Sequence, residues 1–70
     1  MKIANTVTYT IPAGSGSQPM RYEQTTTLVH DRKLTYKGAE RILNQRLGTT
    51  GNKNRAMKAV VTRIETAVMS

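Results

Sequence analysis

Cations carry the most chemistry in this chain. Eleven Lys and Arg stand against four Asp and Glu in 70 residues, a net charge of +7. Residues 1–35 hold Lys2, Arg21, Arg32 and Lys33 against Glu23 and Asp31, a net +2. Residues 36–70 hold Lys37, Arg41, Arg46, Lys53, Arg55, Lys58 and Arg63 against Glu40 and Glu65, a net +5. A one-sided positive field attracts polyanions and steers acidic partners from a distance. Within it, the stretch from Gly48 to Arg55 combines two glycines, small hydroxyl and amide side chains and two cations. Ahead of a helix N-terminus such a segment suits an anion, because backbone N–H groups, the helix dipole and Lys53 or Arg55 can converge on one phosphate. It lacks the GxxxxGK[ST] spacing of a nucleotide-binding P-loop, and an ordinary polar connection accounts for it more simply.

Enzymatic chemistry finds little to work with. There is no Cys, His30 is the only His, and the four carboxylates are widely spaced. Neither a metal cluster nor a nucleophile–base–orienter set can be assembled from neighbouring residues, so no catalytic role, metal or cofactor is expected. No apolar run approaches a membrane span. The N-terminal stretch is interrupted by Asn5, Thr6, Thr8 and Thr10, which does not suit a signal peptide. The chain reads as a complete small gene product, soluble and cytoplasmic.

The elements that would position the cations follow from periodicity. Ile3, Val7, Tyr9 and Ile11 alternate with Ala4, Thr6, Thr8 and Thr10, which predicts a half-buried strand over residues 2–11 ended by Pro12. Residues 12–19, rich in Pro, Gly and Ser, predict a flexible loop. Met20, Tyr22 and Leu28 mark one face of a second extended run over residues 20–29, which pairs with the first as an antiparallel hairpin. After a polar turn at His30–Lys33, Leu34-Thr35 offers a short third strand. Thr35 suits the N-cap of a helix running to about Leu47, with Tyr36, Ala39, Ile42, Leu43 and Leu47 on one side and Gly48 in the C′ position. Gly38 weakens its first turn slightly, by about 1 kcal/mol relative to Ala.

Residues 52–69 read two ways. As a helix capped by Asn52 or Asn54, Met57, Val60, Val61, Ile64, Ala67 and Val68 form an arc free of polar residues. As a strand, Val60, Thr62, Ile64, Thr66 and Val68 share a face. The cleaner separation favours the helix. The expected architecture is therefore a single α+β domain over residues 1–70, an N-terminal antiparallel β-hairpin followed by two amphipathic helices. The alternative is β-β-α-β with residues 58–68 as a strand. With no Phe, Trp or Cys the core is thin, and homodimerisation or partner-dependent order would supply what it lacks.

On that architecture, Arg41, Arg46, Lys53, Arg55, Lys58 and Arg63 line one surface. The leading expectation is a small, non-enzymatic nucleic-acid-binding protein, for DNA or RNA, that contacts phosphates electrostatically without base readout. Tyr9 and Tyr22 suit the core better than base stacking. The alternative is a modulator whose basic face docks on an acidic or nucleic-acid-binding surface of a host complex. A compact, basic α+β chain without Cys looks like the accessory proteins of viruses and plasmids. In its β-β-α-β form the order is similar to several small phage inhibitors of host enzymes or CRISPR complexes, and no residue carries over from them. Helix-turn-helix and ribbon-helix-helix patterns fit poorly, because Gly48 to Asn54 is too long for their turns.

Overall fold

The computed structural model describes residues 1–13, 20–51, 53 and 57–69. They form β1 (Ile3–Ala13), β2 (Met20–His30), α1 (Tyr36–Leu47) and β3 (Val60–Val68). The strands make one antiparallel sheet in the order β2-β1-β3, with the first strand in the middle. The expected second helix is absent: residues 60–68 are strand, paired to β1. The β-β-α-β alternative is the observed order. Asn52 and Asn54, its supposed caps, and residues 14–19 of the expected loop lie outside the described residues.

A bulge explains why β3 imitates a helix. Thr8 pairs with Arg63 and Tyr9 with Val61, so Thr62 is an extra residue without a partner of its own. Ile64, Thr66 and Val68 share a side of the sheet as strand alternation requires. Across the bulge, however, the inward position passes from Ile64 to Val61 and then to buried Ala59. The three-residue step from 61 to 64 matches helical spacing, and Val60 moves to the opposite face from the one alternation assigns it.

Pro12 does not end β1; it pairs with Arg21 inside the hairpin. Successive backbone groups of a strand point to alternate neighbours. The Lys2 carbonyl accepts from the Met69 amide of the β3 side, so even positions of β1 face β3. Since β3 begins opposite Thr10, the position where Pro12 has no N–H to give faces no strand. Leu34 and Thr35 form no strand.

The helix follows its sequence signals closely. Thr35 is extended, and its hydroxyl accepts from the Gly38 amide at 3.0 Å. A Cβ at Gly38 would sit 3.1 Å from that hydroxyl, so glycine here leaves the cap room. Gly48 closes the helix at φ 75°, with its amide turned back to the Asn44 and Gln45 carbonyls. Ala39 and Leu43 pack on Val7, Leu28, Ala59 and Val61 to form the core, with Ile42, Leu34, Tyr9, Ile11 and Ile64 around it.

Two buried asparagines fasten the connections. Asn5, fully buried on β1, donates to the carbonyls of Ile3, Leu28 and Arg32 at 3.2–3.3 Å and accepts the Leu34 amide at 2.9 Å. It thereby ties the β2–α1 turn to the centre of the sheet. Asn44 does the same for the α1–β3 connection: its Oδ1 accepts the Ala59 amide at 2.9 Å and the Thr49 hydroxyl at 2.6 Å. No helix among the described residues is long and apolar enough to cross a membrane.

Candidate nucleic-acid interface

The missing helix removes the scaffold on which six cations were expected to share one surface. Arg41 lies on the solvent side of α1, one turn from Lys37, and both are exposed. Arg46 is exposed in the last turn, where a cation is favoured by the negative end of the helix dipole. Lys53 and Lys58 belong to the connection into β3; Lys53 is exposed, while Lys58 is half-buried and spans the connection, its Nζ 3.5 Å from the Thr50 carbonyl. Arg55 lies outside the described residues. Arg63 is elsewhere: it pairs with Thr8 in register, on the face of the sheet opposite the helix, and forms an ion pair with Glu65.

The Gly48–Arg55 segment is also recast. Among the described residues the element that follows it is strand β3, not the long helix that was to supply a dipole. The exposed helix N-terminus is instead that of α1, beside an open hollow of about 260 Å³ lined by Arg32, Lys33, Leu34, Thr35 and Gly38. Arg32, Lys33 and Lys37 stand near this helix and are not among the six cations expected from the sequence. Their signal was in plain view: Arg32-Lys33 lie one residue short of the N-cap, and Lys37 stands four residues, one helical turn, before Arg41.

The fold sorts charge by element. Residues 31–58, comprising α1 and its two connections, hold eight cations against Asp31 and Glu40, a net +6 of the chain's +7. Glu40 turns inward, accepting the Val61 amide at 3.2 Å. The uncovered face of the sheet carries Arg21 and Glu23 on β2 and Arg63 and Glu65 on β3, which cancel, around a field of threonines. On that face Thr6 meets Thr27 and Thr8 meets Thr25, hydroxyl to hydroxyl at 3.4–3.5 Å. Arg21 is drawn across the sheet, its Nε and Nη2 donating to the Thr10 hydroxyl and carbonyl at 3.0 Å and Nη2 also to the Lys58 carbonyl.

Of the expected core tyrosines, Tyr9 is half-buried against the core and Tyr22 is exposed. Among the described residues no three His, Cys, Asp or Glu side chains gather into a metal-binding group. No family model matches the chain, and neither a curated protein nor a solved structure shows significant similarity to it.

Proposed function

We propose that this protein binds nucleic acid through the solvent side of α1 and its two flanking connections, by phosphate contact without base readout. The supporting observation is the segregation of charge: net +6 on the helix and its connections, and a balanced opposite face. Lys37 and Arg41 project from a capped helix that fixes their spacing at about 6 Å along the axis. Arg32 and Lys33 extend the positive surface at one end of the helix, with Arg46 at the other and Lys53 in the connection beyond it. Four or five neutralised phosphates would give binding to duplex a log–log salt slope of about −4.

Fluorescence anisotropy with short DNA and RNA duplexes and single strands, over a salt series, tests the reading. Binding that weakens steeply with salt and tolerates sequence changes is the expected result. A flat response at low salt overturns it. A single stoichiometric protein partner retained from a host extract after nuclease treatment would assign the same basic surface to an acidic protein face instead.

A further inference from the structure

The two edges of the sheet are treated differently. Along the first part of β3 and the residue before it, one row of helix side chains meets the outward backbone: the Tyr36 hydroxyl donates to the Thr62 carbonyl at 3.4 Å, Glu40 accepts the Val61 amide, and Asn44 takes both polar groups of Ala59, which leaves only the short stretch from Ile64 to Val68 open. Tyr36, Glu40 and Asn44 recur every fourth residue, so one stripe of α1 serves Ala59, Val61 and Thr62 together. The bulge at Thr62 and the Arg63–Glu65 pair guard the strand further. A covering helix, a bulge and charges are the means by which sheets avoid unwanted strand addition.

β2 has neither a covering helix nor a bulge among the described residues, and its two charges, Arg21 and Glu23, both stand near its start. The Leu28 carbonyl faces β1, where Asn5 reaches it, so even positions of β2 point inward. Arg21, Glu23, Thr25, Thr27 and Val29 therefore point their N–H and C=O groups out of the sheet. All five residues are exposed, and among the described residues nothing covers the backbone of Glu23, Thr25, Thr27 or Val29. From Gln24 to Val29 there is no charge, proline, glycine or bulge. The one cation of the strand, Arg21, is folded back toward Thr10 and Lys58 and does not guard the edge. Beside this edge, on the helix side, Met20 and Tyr22 are each 57% exposed.

We propose that β2 pairs with β2 of a second copy, antiparallel about a two-fold axis through Thr25, to form a continuous six-stranded sheet. The strand is self-complementary in this register. Thr25 meets Thr25, Glu23 meets Thr27 and Arg21 meets Val29, each pair twice by symmetry. All five outward residues find partners, and no like charges stand opposite each other. A two-fold axis perpendicular to the sheet keeps both helices on one face, so their positive surfaces lie side by side. The seam, nine residues or about 30 Å long, buries roughly 1,000 Å² in total, at the lower bound for a specific interface. The dimer is accordingly expected to dissociate on dilution.

Pairing of this kind needs no polyanion, so its test and the binding test fail independently. The chain has no Cys, so a single introduced thiol reports on one position. Facing Thr25 residues would have Cα atoms about 5.5 Å apart, inside disulfide range. Thr25→Cys should cross-link to a homodimer under mild oxidation. Thr27→Cys, about 13 Å from its symmetry mate, should not, and nor should Thr66→Cys on β3. Sedimentation of the wild type should show a dimer that dissociates on dilution. Thr25→Pro, which removes an outward N–H and, within the chain, the exposed hydroxyl contact with Thr8, should be a folded monomer by circular dichroism and sedimentation. A wild type that is monomeric at every concentration overturns the proposal. So does a dimer unaffected by Thr25→Pro, or one that cross-links through Thr66→Cys instead of Thr25→Cys.

Discussion

The two faces of β1 belong to the same eleven residues and have opposite fates. One face carries Ile3, Asn5 and Val7, all buried beneath α1 and its connections; the other carries Thr6, Thr8 and Thr10, which no helix covers. Strand alternation alone produces the division. Its consequence is a separation of duties. The covered face holds the fold together through a few apolar contacts and two asparagine clamps, and the helix that covers it presents the positive charge. The open face contributes hydroxyl pairs and a balanced charge. Changes on the covered side should therefore disturb stability or polyanion binding, while changes on the open face should do neither.

The most damaging single substitution should be Asn5→Asp. It keeps the shape but replaces an amide that donates to three carbonyls with a carboxylate that repels them, in a fully buried site. A loss of about 4 kcal/mol is expected, enough to unfold a domain this small under ordinary conditions. Chemical denaturation reads it directly, and a loss below 1 kcal/mol would mean that the clamp is not what fastens the β2–α1 turn. Asn44→Ala should cost about 2 kcal/mol, because the buried Ala59 amide loses its acceptor. Hydrogen exchange should show the Ala59 amide losing protection ahead of the β1–β2 ladder. Uniform loss across the sheet would argue against a local fastening.

How much of this was legible in the sequence depends on which interactions fix each element. The helix was legible almost to the residue, because Thr35 and Gly48 are local signals acting within a turn of where they stand. β1 was legible through its alternation, apart from Pro12, whose tolerance rests on where β3 begins. β3 misled because its hydrophobic pattern is the sum of two registers joined at Thr62. A bulge is set by pairing to another strand, which no local window contains. The asparagines were invisible for the same reason: Asn5 acts across 29 residues to Leu34, and Asn44 across 15 to Ala59. Of the candidate cations, proximity along the chain placed Arg41, Arg46, Lys53 and Lys58 on or next to α1. Arg63 was assigned with them only because a helix was assumed.

That misassignment makes a controlled pair of charge reversals. Lys37→Glu with Arg41→Glu acts on the solvent side of α1, and both positions are exposed, so the fold should be kept. At low salt the pair should weaken nucleic-acid binding by about tenfold or more, near 1.4 kcal/mol, and flatten the salt slope by about two. Arg63→Glu makes the same kind of reversal on the opposite face and should change affinity less than threefold, which is under 1 kcal/mol. If Arg63→Glu gave about half the loss of the double reversal, in log units, net charge and not its placement would govern binding.

The smallest effect is expected where the comparison is most exposed to failure. Thr6→Val with Thr27→Val replaces a facing hydroxyl pair, 3.5 Å apart on the open face, by two side chains of the same shape. Valine suits a strand as well as threonine does, and a long, exposed hydroxyl contact contributes little to net stability. The double variant should stay within about 0.5 kcal/mol of the parent, as surface changes away from special features usually do, and should leave anisotropy titrations unchanged. A loss above 1 kcal/mol would show that the threonine pairs themselves hold the hairpin. A drop in affinity would mean that nucleic acid reaches the face left open, and the division of duties between the two sides of β1 would have to be redrawn.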